Sequence, residues 1–308
     1  MIQKPRRPKL RVDGVLLLDK PQGLTSNGAL QSVRRLFQAA KAGHTGTLDP
    51  LATGLLPVCF GEATKFSQGL FDADKRYRAG IALGVRTDTA DAEGAEIAHR
   101  PVLVTRQQVE AALARFVGEI DQVPPMYSAL KRGGRPLYEL ARQGVEVERA
   151  PRRVHIYAID LGRFDGEALE IEVHCSKGTY IRTLADDLGE HLGCGAHLSS
   201  LRRTATAGFE IAAAVTLDTL ERCDAAFRSA CLLPPDTLVR DLGRVDLDPH
   251  QMAQLLHGQA VPFPGLDAGA SHRAYGEGRF LGIARMGVDG LLAPVRLVAD
   301  PLSPPPEA

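Results

Sequence analysis

The 308-residue sequence contains no tryptophan, and aromatic residues make up only 5% of it, so each Tyr and Phe is worth placing individually. Cysteine is sparse too: Cys59, Cys175, Cys194, Cys223 and Cys231 form an odd, scattered set without a C-x-x-C pair. A disulfide framework or a zinc ribbon needs paired or clustered cysteines, so the pattern points away from both and toward a reducing compartment. No apolar run approaches the ~18–20 residues that span a bilayer. The uncharged stretch 51–61 is short and contains Pro57. The basic start (Lys4, Arg6, Arg7, Lys9, Arg11) is followed by a short apolar run, 15–18, that stops at Asp19, which is too little for a signal peptide. A soluble, cytoplasmic protein that does not engage a membrane is expected. Net charge is lacking as well, with 37 basic and 37 acidic side chains. That excludes a uniformly polybasic surface but leaves room for a local basic face.

What is present describes a globular chain. Apolar residues are 44% of it, ordinary for a packed core. The length exceeds what one hydrophobic core usually supports, so a large and a small domain are expected. Residues 1–12 are basic and loose, 13–240 form the large domain, and 241–308 form the small one. The run 15–18 reads as a buried strand. The turn 20–26 ends in Thr25 or Ser26, either able to cap a helix whose apolar stripe is Leu30, Val33 and Phe37. Strands follow at 55–60 and 77–83. Thr105 and Gln108 have capping-box spacing ahead of Val109, Leu113 and Phe116. The stretches 154–164 and 168–175 alternate apolar and polar residues around Asp165-Gly166, a hairpin pattern. Ile181, Leu184, Leu188 and Leu192 repeat at helical spacing, with Gly193 placed as a C-cap. From 240 onward short strands dominate, including 279–284 and 291–298. The fold class is α+β, with a mixed, mainly antiparallel sheet flanked by helices and a small C-terminal β domain.

Charge is segregated along the chain. Residues 1–35 hold eight basic and two acidic side chains. The segment 124–152 carries Lys131, Arg132, Arg135, Arg142, Arg149 and Arg152 beside four prolines and a Gly-Gly pair, with a short helix expected at 137–143. Such a segment suits an exposed functional loop. Residues 86–122 and the C-terminal domain lean acidic.

The densest chemical pattern is GHTGTLDPLATG at 43–54, where glycine, threonine and proline fix an irregular backbone around His44 and Asp49. Alone, an Asp in such a loop is most simply a turn acid bonding nearby N–H groups. The Lys-Ser/Thr ending of a phosphate-binding P-loop is absent. His191, Cys194 and His197 are spaced by three, but Gly193 and Gly195 break a common helix face, so no metal site is expected. Asp88, Asp91 and Glu93 read as a polar turn, and Asp246 and Asp248 as solvated turn acids.

Residues 43–65, GHTGTLDPLATGLLPVCFGEATK, resemble the loop that marks the TruB-type bacterial tRNA pseudouridine-55 synthases. Further blocks match in the family's order: KPQGLTS (20–26), YRAGIALGVRTDTADAEG (77–94), SALKRGGRPLYELARQG (128–144), CSKGTYIRTLADDLG (175–189) and GAHLSSLRR (195–203). The likeness is strong over 12–235 and looser over 250–298, which resembles a small PUA-type RNA-binding domain. The resemblance implies isomerisation of uridine 55 in the TΨC loop of tRNA, without metal or organic cofactor, by a monomer needing no guide RNA. It assigns Asp49 as the catalytic aspartate, Arg182 as its partner, Tyr77 as the residue stacking on the target base, and His44, Tyr180 and Leu201 as substrate contacts. The segment 124–152 corresponds to an insertion that lies against tRNA. Chemically, a carboxylate acting as nucleophile or as ribose base must be ionised. Burial opposes ionisation, and an adjacent arginine is expected to offset it.

Overall fold

The computed structural model describes residues 9–128 and 130–299. The basic stretch 1–8, the side chains of Lys131 and Arg132, and the proline-rich tail from 300 lie outside the described residues. An eleven-stranded mixed sheet runs in the order Val215–Thr216, Gly14–Lys20, Thr53–Phe60, Ala196–Thr206, Lys75–Leu83, Ala168–Cys175, Arg152–Phe164, Gly118–Gln122. Three short strands branch from this path. Two pairings are parallel, Gly14–Lys20 with Val215–Thr216 and Thr53–Phe60 with Ala196–Thr206; the others are antiparallel.

The two halves of this sheet are built differently, and the sequence shows why. Gly14–Lys20 has an unbroken apolar run because both of its faces are covered. Leu16 and Leu18 pack with Ala29, Leu30 and Val33 of the helix Ser26–Leu36, while Val15 and Leu17 pack with Leu55, Cys59 and Phe209 on the other side. Ala168–Cys175 alternates instead. Leu169, Ile171, Val173 and Cys175 face a core, and Glu170 and Glu172 face water. The helix Ile181–Leu192 closes that core with Leu184, Ala185 and Leu188. Each leucine so buried contributes about 1.5–3 kcal/mol.

The local signals act as the residue types require. Thr25 caps the first helix through Gly28 N–H. Thr105 and Gln108 form a reciprocal capping box. Gly193, at φ +81°, ends the helix Ile181–Leu192 in the left-handed region. In the 124–152 segment the helix is Leu137–Ala141, two residues shorter than expected; Gly144, at φ +71°, turns the chain just beyond it. No helix among the described residues is long and apolar enough to cross a membrane.

The C-terminal sheet runs Gly243–Leu247, Ser271–Gly276, Arg279–Met286, Leu291–Leu297, Val261–Pro262. The helix Pro249–Leu256 packs Met252 and Leu255 into its core. Two expectations fail here. Asp248 is the N-cap of that helix and forms a capping box with Gln251 ahead of Pro249, and Asp246 lies in a strand, paired with Arg244. Both acids were read as turn residues because the short helix has only two apolar anchors and left little periodicity. The sheet meets the rest of the molecule through Phe280 against Phe66, ring centroids 5.2 Å apart, and through Lys65, which donates to Leu297 O at 3.0 Å.

Candidate active site

Asp49 sits in the loop between the short strand Ala42–His44 and the strand Thr53–Phe60. The helix Ser26–Leu36 anchors that loop. Ser26 Oγ donates to Leu48 O at 3.0 Å and accepts from Leu48 N at 2.7 Å, beside Asp49 in the chain. Ser26, one of the two expected caps, is therefore buried and spent on the loop, while Thr25 does the capping. Gly23 N–H donates to Pro50 O at 2.8 Å from the other side.

Arg182, in the first turn of the helix Ile181–Leu192, reaches this loop. Its Nη2 lies 3.0 Å from Asp49 Oδ2 and donates to Tyr127 O at 2.6 Å. Its Nη1 lies 3.3 Å from Asp91 Oδ2. Arg182 and Asp91 are buried, whereas the Asp49 side chain keeps 40% of its surface open. The expected pair is thus a triad. One guanidinium serves two carboxylates, and Asp91, which the sequence reading took for a plain turn acid, is the second. It is also a turn acid, since its Oδ1 accepts from Thr89 Oγ1 at 2.7 Å and Glu93 N at 3.1 Å. That local role masked the long-range one.

Sharing has an electrostatic consequence. The Asp49 carboxyl is raised above its ordinary value, first by burial, with Arg182 pulling down and Asp91 pushing further up. Arg182 offsets part of the burial effect, in the direction expected from sequence, without cancelling it. Lys20 also acts on Asp49. It is fully buried, donates to Pro21 O at 2.9 Å and Leu24 O at 2.6 Å, and burial lowers its ammonium to about 8 against the opposing pull of Asp49.

Asp49 and Arg182 open onto a cavity of about 230 Å³ walled by Tyr77, Tyr180, Leu201 and Arg203. Drug-sized ligand sites run to ~300–1,000 Å³, so this one suits a single flat ring better than an entire nucleotide. Tyr77 and Leu201 each touch two core clusters, so they stand where the two halves of the sheet meet. Burial raises the Tyr77 phenol, and the neighbouring Arg203 guanidinium pulls it down. The backbone of Tyr180 exchanges two hydrogen bonds with the Gln122 side chain. His44 is not part of the cavity wall. It sits in the strand leading into the loop, its Nδ1 buried without a partner among the described residues, and burial and then Arg203 lower its pKa, which favours a neutral ring.

Five of the six residues singled out from sequence therefore converge on one cavity, and His44 is not among its lining residues. The sequence reading missed Asp91, Lys20 and Arg203 as site residues, although all three lie inside matched blocks. Among the described residues no three His, Cys, Asp or Glu side chains are arranged to hold a metal ion. His197 Nδ1 instead bonds Val85 O at 2.9 Å.

Comparison with known proteins covers most of the chain. Residues 34–181 match the model of the TruB family pseudouridylate synthase N-terminal domain. Residues 182–240 match the tRNA pseudouridylate synthase B C-terminal domain, and 243–298 match the pseudouridine synthase II TruB C-terminal model. A tRNA pseudouridine synthase B of Azoarcus sp. (strain BH72) is 58% identical over 292 residues, covering 95% of this chain and 97% of that protein. Another from Aromatoleum aromaticum is 58% identical over 294 residues, covering 96% and 95% respectively. Among solved structures, an H/ACA RNP bound to a substrate RNA containing 2′-deoxyuridine is similar with a TM-score of 0.67 at 26% identity, covering 95% of this chain and 86% of that one.

Proposed function

Because the chain belongs to the TruB family of pseudouridylate synthases, we propose that it converts uridine 55 of the tRNA TΨC loop to pseudouridine, with Asp49 as the essential carboxylate. The observation that carries this reading is Asp49 held 3.0 Å from Arg182 at the mouth of a cavity sized for one ring.

The reaction breaks the C1′–N1 bond, turns the uracil and joins C1′ to C5, so the base must be held while it is detached. The cavity wall formed by Tyr77, Tyr180 and Leu201 serves that orientation problem. A base inside a folded loop has to leave its stack to reach Asp49. Tyr77 offers it a flat face, and such stacking is worth about 1–3 kcal/mol per base in single-strand binders. The partial exposure of Asp49 leaves one carboxylate oxygen approachable from the cavity while Arg182 fixes the other. Whether the carboxylate attacks C1′ or takes a ribose proton, it must be ionised, and Arg182 is what keeps ionisation accessible in a buried setting. His44, neutral and in the strand that leads into the loop, contacts the RNA once the substrate seats. The basic segment 124–152 supplies phosphate contacts that position the RNA without reading its sequence. The C-terminal sheet is a PUA-like domain with a subordinate part in affinity.

The test is to map pseudouridine on a tRNA transcript after incubation with the purified monomeric protein alone. The expected product is a single pseudouridine at position 55, absent with Asp49→Asn. The likeness to an H/ACA RNP makes guide dependence the alternative, and an unmodified bare transcript that reacts only when a guide RNA is added would establish it.

A further inference from the structure

Arg203 is fully buried in the strand Ala196–Thr206, and among the described residues no carboxylate forms an ion pair with it. A buried cation without a counter-charge is costly unless its donors are all used. Its Nε donates to Leu55 O at 2.7 Å and its Nη2 to Gly46 O at 3.0 Å, and its charge acts on the Tyr77 phenol beside it. Gly46 and Leu55 bracket Asp49 in the chain. Tyr77 is the register partner of Arg203 on the next strand. Two glycines make room for this arrangement. A Cβ on Gly46 would lie 3.2 Å from Arg203 Nη1, and one on Gly54 would lie 2.3 Å from Arg203 O.

We propose that Arg203 is a positioning residue for the isomerisation, a clamp that holds both ends of the Asp49 loop against the strand pair that carries Tyr77. The planar guanidinium is suited to this because its donors diverge in fixed directions, whereas a lysine offers one point of attachment. Arg203 also lines the cavity, but the clamp acts through Asp49 and Tyr77. Its catalytic consequence rests on the function proposed above; its structural consequence does not.

Arg203→Lys keeps the charge and loses the fork, and it is read out in two ways. Hydrogen–deuterium exchange of the loop 45–52 is expected to speed up several-fold while the C-terminal sheet stays unchanged. Single-turnover conversion of tRNA transcript is expected to fall by about 10–100-fold, the scale set by small misplacements of reacting groups, with tRNA affinity little altered. Should Arg203→Lys fail to fold, Gly46→Ala, which presses on the guanidinium from the loop side, is expected to give the same two changes. Unchanged loop exchange would overturn the clamp. Faster exchange with a wild-type turnover rate would overturn its catalytic role. A wild-type protein inactive on the transcript would refute the proposed function alone, because the exchange measurement still decides the clamp.

Discussion

The two sheets bury different kinds of side chain. Every buried polar or charged residue among the described residues falls between Lys20 and Thr206, including Lys20, Lys75, Asp91, Arg182 and Arg203. The C-terminal sheet contributes none. Its core is Val245, Leu247, Met252, Leu255, Val261, Ala274, Leu281, Ala284, Met286 and Leu292, and Arg244 and Asp246 pair outside it. Burying charge opposes folding, so a region that does so repeatedly around one cavity has given up stability for chemistry, and a region that avoids it has not. The difference picks out the candidate site without reference to any relative.

Substitutions in the two regions are expected to have opposite consequences. The largest effect is expected from Asp49→Asn, which removes pseudouridine formation in a single-turnover assay and leaves tRNA binding intact. Because burial outweighs Arg182 in setting the Asp49 carboxyl, the same variant should be at least as heat-stable as the parent. A large fall in melting temperature would mean that Asp49 is structural. Next comes Arg182→Met, which strands two carboxylates. It should abolish turnover and cost about 3–5 kcal/mol in chemical denaturation, the usual penalty for breaking a buried pair; a loss under 1 kcal/mol would show that water reaches the triad freely. A smaller effect is expected on pH. The Asp49 carboxyl is raised, so protonation removes the ionised form at a pH above the ordinary carboxylate range. The rate should therefore fall, as pH decreases, earlier than a free aspartate would dictate, and a flat kcat/KM profile down to that ordinary range would contradict the raised carboxyl. In the C-terminal sheet the pattern should reverse. Leu292→Ala is expected to cost about 2–5 kcal/mol in stability while the rate at saturating tRNA stays near that of the parent. Arg244→Ala, in an exposed pair, should change neither quantity measurably.

Much of this was legible in the sequence, for identifiable reasons. Strands and helices with strong periodicity, such as Ala168–Cys175 and Ile181–Leu192, emerged with the right type and nearly the right ends. Asp49, Tyr77, Tyr180, Arg182 and Leu201 were legible through the motifs that hold them. Asp91 was not, because its bonds to Thr89 and Glu93 are those of any turn acid, and its pairing with Arg182 spans a sequence gap that no local pattern encodes. Arg203 was hidden for a similar reason. A charged residue in a strand reads as solvent-facing, and only the strand order places it beneath Tyr77. The helix Pro249–Leu256 escaped because its cap was read as a turn.

The strand Ala196–Thr206 lies between Thr53–Phe60 and Lys75–Leu83, though it comes more than a hundred residues after both. During vectorial synthesis the first 195 residues can fold only with those two strands unpaired along their facing edges, since the insert that joins them has not yet been made. Arg203 arrives on that same insert. Maturation of the Asp49 loop is therefore timed to the late closure of the sheet, and a nascent or truncated chain is left with an open seam beside the candidate site.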